Sequence, residues 1–116
     1  MDDAPLPQTT VDTFFAVDIR LGRILAASPL EGARKPAYKL EIDFGPLGTR
    51  RSSAQLTELY TPEQLAGRQV LCVVNFPPRR IAGFESQVLT LGVPDENGAV
   101  ILLSAEREAP LGARVF

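Results

Sequence analysis

The residues best suited to bind a ligand lie in residues 75–89, which read NFPPRRIAGFESQVL. Arg79 and Arg80 are adjacent and follow two prolines. Phe76 and Phe84 flank this basic stretch. Arginine donates paired hydrogen bonds to phosphates and carboxylates, and phenylalanine offers an apolar surface. The stretch therefore has three interpretations: a structural corner, a nucleic-acid clamp, or the rim of an apolar peptide pocket.

The composition argues against catalysis and against metal binding. The sequence has no histidine and one cysteine, Cys72, whereas histidine is the commonest general base and metal ligand near neutral pH. A zinc site needs several cysteine or histidine ligands. The segment GPLGTRRSS lacks the GxxxxGK[ST] spacing of a phosphate loop. We therefore expect no catalytic residue, no metal and no cofactor, and we interpret Cys72, within the apolar run VLCVV, as a buried inert thiol.

Positive charge is concentrated in the middle of the chain, although the formal net charge is only -2. Residues 20–80 carry ten Lys or Arg against five Asp or Glu, whereas residues 1–19 carry four acidic residues and no base. This distribution suits a phosphate-binding face, and it is equally consistent with a mixed solvated surface. The opening MDDAPLPQTT resembles no signal peptide, and no apolar run could span a bilayer. We expect a cytoplasmic protein with no membrane insertion.

The length and the order of elements predict one all-β domain over residues 1–116. Alternating apolar and charged residues in VDIRLGRILAA and AYKLEIDF predict two strands, and TRRSSAQL returns as a third. Gly22 interrupts the first strand, as a bulge or a tight bend would. The apolar run RQVLCVVNF predicts a fourth strand, ESQVLTLGV a fifth and AVILLS a sixth.

Two short helices complete the predicted order. TTVDTFFAV predicts an N-terminal helix capped by Thr9 or Thr10. Thr61 is placed to cap a second helix, with Gln64 at the capping-box position and Gly67 able to end it in a left-handed conformation. Three strands, a short helix and two more strands are typical of the OB-fold, a five-stranded Greek-key barrel. We expect this fold, with the N-terminal helix and the sixth strand as additions.

Several stretches together resemble the CsaA family, small secretion-associated chaperones built on the tRNA-binding OB domain. They are DIRLGRI, ARKPAYKLEIDFG, SSAQLTELYTPEQLAGRQV, VVNFPPRRI and LGVPDENGAVILL. In the wider tRNA-binding group, the connection between the fourth and fifth strands has the sequence motif N-L-x-P-x-K-x-R-G-x-x-S-x-G-M. The positions that match this form are Asn75, Pro78, Arg80 (with Arg in place of Lys), Gly83 and Ser86. The positions that depart from it are Ala82, Val88 and Leu89.

The resemblance implies a homodimer that binds unfolded or precursor proteins during export, with tRNA as a further ligand. It implies that the C-terminal strands, AVILLS and the final ARVF, form the dimer interface. The alternative is a structure-specific tRNA-binding protein with no chaperone role. The resemblance to the wider tRNA-binding group supports this alternative. The scarcity of aromatic residues for base stacking favours protein binding instead.

The candidate binding residues combine basic side chains, two phenylalanines and two polar groups. Lys39 and Arg51 alternate with buried positions, so we expect them to point outward and to share a face with the basic pair. Phe76 and Phe84 are expected to wall a peptide groove, or alternatively to plug the ends of the barrel. The full candidate set for peptide or tRNA is Lys39, Arg51, Asn75, Phe76, Arg79, Arg80, Phe84 and Ser86.

Overall fold

The structure of the protein is a computed structural model, and it describes residues 4–116. These residues form two α-helices, a 3-10 turn and nine strands. In chain order these elements are α1 Val11–Phe15, β1 Ile19–Pro29, β2 Tyr38–Asp43, the 3-10 turn Gly45–Leu47, β3 Thr49–Ala54, α2 Pro62–Leu65, β4 Gln69–Val73, β5 Arg79–Ile81, β6 Phe84–Ser86, β7 Leu89–Thr90, β8 Gly92–Pro94 and β9 Val100–Leu102.

Five antiparallel strands form the barrel in the order β3-β2-β1-β4-β7. The sheet nearly closes because β3 meets the chain just before β7. The amide of Gln87 donates to the carbonyl of Arg51 at 2.8 Å, and the Ser52 and Thr90 hydroxyl oxygens lie 2.8 Å apart. Alternate side chains of β2, including Leu40 and Ile42, are buried inside. The predicted all-β OB-fold with a short helix between its third and fourth strands is confirmed.

Strand β1 is shared between the two halves of the barrel. Its first part pairs with β4 and its second part with β2, with a shift in register between Ile24 and Ala26. The irregularity that we expected at Gly22 therefore lies further along the strand. Gly22 has a different role: a β-carbon there would lie 2.5 Å from Cγ2 of Ile42 and 2.7 Å from Cε1 of Phe44. The core leaves this position no room for a side chain.

The helix signals in the sequence are confirmed residue by residue. The Thr13 amide donates to the Thr10 hydroxyl oxygen at 3.1 Å, so Thr10 caps α1. In α2 the Gln64 amide donates to the Thr61 hydroxyl oxygen, while the Thr61 amide donates to the Gln64 side chain. This is the reciprocal capping box. Gly67 follows with a φ of 88°, as predicted. Within residues 4–116, none of the helices has the length and apolar character needed to cross a membrane.

The predicted fifth strand is divided into β6, β7 and β8, and only β7 joins the barrel. The Arg79–Ser86 segment before β7 forms a hairpin of its own: β5 pairs with β6, with Ile81 opposite Phe84. The two residues between them, Ala82 and Gly83, have φ values of 52° and 79°. Positive φ at both positions is what a two-residue type I′ turn requires. The sequence Ala-Gly lacks the usual Asn or Asp signal, which explains why the pattern did not predict a hairpin.

The end of the chain lies along β1 of the same molecule. The Gly112 amide donates to the Leu21 carbonyl at 2.8 Å, the Leu21 amide to Ala113 at 2.9 Å, and the Val115 amide to Ile19 at 2.9 Å. We call residues 112–115 the C-terminal seam. The final ARVF, expected to contact a second copy, therefore makes its backbone bonds within its own chain. Strand β9 pairs with β8 in a separate hairpin.

Candidate functional site

Both polar members of the candidate set are held by backbone groups. The Asn75 side chain accepts from the Asp18 amide at 2.9 Å and donates to the Ala16 carbonyl at 2.9 Å. The buried Ser86 hydroxyl accepts from the Ser53 amide at 2.9 Å and donates to the Val88 carbonyl at 3.3 Å. These bonds anchor the two ends of residues 75–86 to the segment between α1 and β1 and to β3. The stretch between the anchors carries the exposed side chains.

Three other candidates meet in one shallow depression of about 280 Å³, which we call the Phe84 groove. Lys39 and Arg51 are exposed, as their alternation predicted. The Arg51 guanidinium carbon lies 5.5 Å from the centre of the Phe84 ring, and Arg51 Nη2 lies 3.7 Å from a Glu85 carboxylate oxygen. Arg51 therefore already has an aromatic partner and an anionic partner within the protein.

Arg79 and Arg80 lie elsewhere, at the edge of a cavity of about 700 Å³. We call this cavity the loop pocket, because the β1–β2 loop and the β5–β6 hairpin form two of its sides. Arg34 and Lys35 approach from the loop, and we call these four exposed cations the basic rim. The lining residues are Gly32, Ala33, Arg34, Lys35, Ala37, Ser53, Ala54, Gln55, Leu56, Arg79, Arg80, Ile81, Ala82, Leu89, Thr90, Val100 and Leu102.

A second groove of about 270 Å³ continues from the loop pocket. Phe76 lines it and is 45% exposed, so Phe76 does not plug the barrel. Arg79, Ile81 and Leu89 line both depressions, so the two form one continuous surface. We call this smaller depression the Phe76 groove. The predicted single face is thus divided: Phe76, Arg79 and Arg80 share one surface, and Lys39, Arg51 and Phe84 share another.

The basic rim differs from the other arginines in its lack of internal partners. Within the described chain, five arginines form ion pairs with carboxylates: Arg20, Arg23, Arg51, Arg107 and Arg114. In residues 4–116, the side chains of the four rim cations form neither an ion pair nor a hydrogen bond. The acidic side chains of the described chain also stay out of the pocket lining. The rim is thus an uncompensated concentration of positive charge beside an apolar cavity.

Cys72 is a structural thiol, as predicted. It is fully buried, and its sulfur lies 3.6 Å from the Thr90 hydroxyl oxygen. Desolvation by burial raises the pKa of the Cys72 thiol to about 12, against a smaller lowering by the hydrogen bond with Thr90. A thiol with this pKa stays protonated near neutral pH and is a poor nucleophile. No group of three or more His, Cys, Asp or Glu side chains in residues 4–116 is arranged to hold a metal ion.

Sequence reasoning missed Arg34 and Lys35, which provide half of the basic rim. They lie in the stretch PLEGARKPA, whose glycine and prolines predict only a loop between the first two strands. A signal was present, because the loop between strands 1 and 2 of an OB-fold borders its usual ligand face. The order of elements therefore could have assigned these two cations to the same surface as the hairpin.

Comparison with known proteins places this geometry in context. Residues 19–114 match the family described as putative tRNA binding domain. The chain is 34% identical over 110 residues to a methionine–tRNA ligase of Methanocella arvoryzae and 38% identical over 103 residues to that of Methanococcoides burtonii. These alignments cover 95% and 89% of this chain but only 16% and 15% of the ligases.

Three solved structures match most of this chain and the full length of the other chain. The crystal structure of the chaperone CsaA from Bacillus anthracis is 46% identical, with a TM-score of 0.89, and the match covers 95% of this chain and 100% of that one. The CsaA chaperone protein of Picrophilus torridus is 42% identical, with a TM-score of 0.87, covering 94% and 100%. A MetRS-related protein of Pyrococcus horikoshii is 31% identical, with a TM-score of 0.85, covering 96% and 100%.

Proposed function

The chain belongs to the putative tRNA-binding domain family and, within it, groups with the CsaA proteins, and from this premise we propose that it is an ATP-independent chaperone of unfolded or precursor polypeptides. Its clients would be cytoplasmic chains held before export, and no catalytic step is involved. One observation carries the proposal: the loop pocket has apolar walls and a charged rim, the combination that suits an extended polypeptide segment.

The apolar part of the site is accessible to a client. Leu89 is 43% exposed although it lies between the loop pocket and the Phe76 groove. Phe76 stands at the other end of the same surface, so a segment crossing it would bury apolar side chains against both. Each apolar side chain covered by a client contributes on the order of 1 kcal/mol when half of it was exposed beforehand.

Suppression of client aggregation tests this function. An unfolded client is diluted into buffer with increasing amounts of the protein, and light scattering gives the amount needed for half suppression. We expect Leu89→Gln to raise that amount roughly fivefold, as the loss of about 1 kcal/mol requires. Leu25→Gln is the matched control, because Leu25 is 49% exposed and lies outside the pockets described above. Equal effects from the two variants would remove the loop pocket from client binding.

Two phenylalanine variants separate the two surfaces. Phe76→Ala should weaken suppression, because Phe76 belongs to the surface continuous with the loop pocket. Phe84→Ala should leave suppression nearly unchanged, because Arg51 already covers one face of its ring. The reverse result would place the client in the Phe84 groove, where Lys39 and Arg51 would then form the charged edge.

Binding of tRNA is the second candidate function, favoured by the basic rim and by the family match. Four uncompensated cations on one surface can neutralise several phosphates at once, and such binding must weaken steeply as salt displaces it. Titration of tRNA into the protein at increasing salt concentrations tests this candidate. A flat salt dependence, or no binding at low salt, would contradict it. If the protein binds tRNA but does not suppress aggregation, this supports the alternative of a tRNA-binding protein with no chaperone role.

We also propose that the protein acts as a homodimer. Val93 and Ile101 lie opposite each other in the β8–β9 hairpin and are 45% and 40% exposed. Two apolar residues side by side on an exposed hairpin suit contact with a second copy. Size-exclusion chromatography with light scattering should give a dimer for the natural chain and a monomer for Ile101→Glu. A natural chain that is monomeric at high concentration would overturn this part of the proposal.

A further inference from the structure

The basic rim lacks the anions that would balance it. Two acidic residues lie near it along the chain or across the hairpin, and neither neutralises it. Glu31 lies in the β1–β2 loop itself but is not part of the pocket lining. Glu85 stands opposite Arg80 in the hairpin register, but its carboxylate pairs with Arg51. The side chains that a ligand would meet first are therefore four cations without a competing carboxylate.

Apolar side chains lie directly behind these cations. Leu56 is buried at the bottom of the loop pocket, while Leu89, Val100 and Leu102 retain accessible surface. A ligand that fills the pocket thus needs apolar groups for the interior and negative charge for the edge. A ligand carboxylate that covers one of these exposed cations displaces water from it, and the two charges then attract each other more strongly than in open solvent.

The pocket does not suit nucleic-acid bases as well as it suits a polypeptide. Base binding relies on aromatic faces for stacking, and no aromatic residue of the described chain lines the loop pocket. The nearby Tyr60 hydroxyl accepts the Leu102 amide at 3.1 Å, and the Arg68 guanidinium carbon lies 5.2 Å from the Tyr60 ring centre. Its ring is therefore already engaged, so RNA would contact the loop pocket itself through phosphates, and the exposed aromatic ring that remains nearby is Phe76 in the adjoining Phe76 groove.

From these contacts we infer that the loop pocket selects polypeptide segments in which apolar residues are flanked by aspartate or glutamate. The inference rests on the proposed chaperone function and adds the class of client segment. Carboxylates would pair with the guanidinium groups of Arg34, Arg79 and Arg80, whose fork geometry matches a carboxylate. The apolar residues between the carboxylates would cover Leu89 and its neighbours.

Three fluorescent peptides with one apolar core test this selectivity. The core of leucine, valine and alanine is flanked on both sides by aspartates in one peptide, by serines in the second and by lysines in the third. Fluorescence anisotropy at low salt should give a Kd about tenfold lower for the aspartate peptide than for the serine peptide, equivalent to about 1.4 kcal/mol. The lysine peptide should bind most weakly, and the difference should shrink as salt screens the charges.

A charge reversal makes the test specific to the rim. Arg79→Glu should abolish or invert the preference between the aspartate and lysine peptides, because Arg79 lines both the loop pocket and the Phe76 groove. Lys39→Glu is the matched control: Lys39 is an exposed cation without an internal partner, and it lies in the separate Phe84 groove. Circular dichroism confirms that both variants remain folded.

The outcomes distinguish the inference from the function on which it rests. Equal affinity for the three peptides, in a protein that suppresses aggregation, overturns the selectivity and leaves the chaperone function standing. An equal change of preference in Lys39→Glu and Arg79→Glu shows a general effect of net charge and also overturns it. If none of the peptides binds and aggregation is not suppressed, the proposed function fails and the selectivity fails with it.

Discussion

The C-terminal seam and the basic rim both rely on arginine, but in opposite states. At the seam, Arg20 Nε lies 2.6 Å from an Asp18 carboxylate oxygen, and Arg20 Nη1 donates to the Gly112 carbonyl at 3.0 Å. Arg114 donates to the Phe15 carbonyl at 2.7 Å and places its guanidinium carbon 5.5 Å from the Phe15 ring centre. The rim cations have no such partners. Arginine thus fastens the chain in one region and remains free for a ligand in the other.

This difference teaches that the number of arginines says little about binding in this chain. An arginine stabilises the fold where it pairs with a neighbouring carboxylate. An arginine without a carboxylate nearby remains available to bind a ligand. The two regions should therefore respond differently to substitution. Seam variants should lose stability, whereas rim variants should lose ligand binding.

The largest expected effect is on the seam. Asp18→Ala removes the carboxylate that faces both Arg20 and Arg114, and Arg20 is only 26% exposed. Because a partly buried, charge-assisted pair is lost, the free energy of unfolding should fall by about 2 kcal/mol. This corresponds to a decrease in Tm of roughly 8 °C for a domain of this size. Thermal unfolding followed by circular dichroism measures it.

The control for that prediction is Glu106→Ala. Glu106 pairs with Arg107, but both side chains are almost fully exposed. Such a surface pair contributes about 0–1 kcal/mol, so the Tm should hardly move. If Asp18→Ala and Glu106→Ala lower the Tm equally, the seam has no special role in stability.

The next effect concerns the rim and its second candidate ligand. Removing the charges of Arg34 and Lys35, as Gln at both positions, should weaken tRNA binding about tenfold at low salt while the Tm changes little. The slope of log affinity against log salt should become shallower by about 1.5, because two phosphate contacts are lost. Arg114→Gln, measured well below its Tm, should keep the natural slope. A shared change of slope would contradict the division between seam and rim.

A smaller effect is expected on the pH dependence of stability, and it comes from Cys72 inside the barrel, between the seam and the rim. Burial raises the pKa of Cys72 from 9.0 to about 12, so above pH 9 the unfolded chain loses this proton while the folded chain keeps it. The thiol's contribution to stability is complete below pH 9 and is lost as the pH rises toward 12. Between pH 8 and pH 9.5 the free energy of unfolding should fall by about 0.8 kcal/mol.

Comparison with Cys72→Ala isolates this contribution, since that variant lacks the thiol and should show a flatter pH profile over the same interval. The rim variants, by contrast, should retain the natural profile, because their cations do not contact the barrel interior. Parallel profiles for the natural chain and Cys72→Ala would show that Cys72 titrates normally in the folded protein.

The smallest effect is a gain of stability at the hairpin that carries Arg79 and Arg80. Ala82 adopts a φ of 52°, which costs an alanine on the order of 1 kcal/mol. Asparagine tolerates this conformation and forms the preferred Asn-Gly turn with Gly83. Ala82→Asn should therefore raise the free energy of unfolding by about 0.5 kcal/mol in urea titrations. A lower stability would show that the Ala82 methyl makes contacts that outweigh the strain.

Local signals in the sequence were sufficient for some parts of this structure. The caps at Thr10 and Thr61 bond to residues three positions away, and β2 shows a two-residue period because one of its faces is buried. These features depend on neighbours in the chain. For that reason the order of strands and helices, and with it the OB-fold, could be predicted before the structure was available.

The arrangement of the site depends on distant partners and was not predictable in the same way. Asn75 and Ser86 have the chemistry of ligand contacts, but Asn75 bonds to backbone groups 57 and 59 positions away, and Ser86 accepts from an amide 33 positions away. Arg34 and Arg79 line the same pocket only because the β1–β2 loop and the β5–β6 hairpin lie side by side in the folded chain. Phe76 and Phe84 lie close in sequence, whereas the folded hairpin directs them to different grooves.

The C-terminal seam also hydrogen-bonds the backbone groups of β1 that the barrel strands leave unpaired. Strand β4 covers one side of the first half of β1, and the seam supplies hydrogen bonds to Ile19 and Leu21 on the other. Without the seam, this part of β1 would be an edge strand, able to pair with any extended chain nearby. A protein whose proposed task is to keep extended segments apart thus uses residues 112–115 of its own chain to keep its central strand β1 from pairing with such segments.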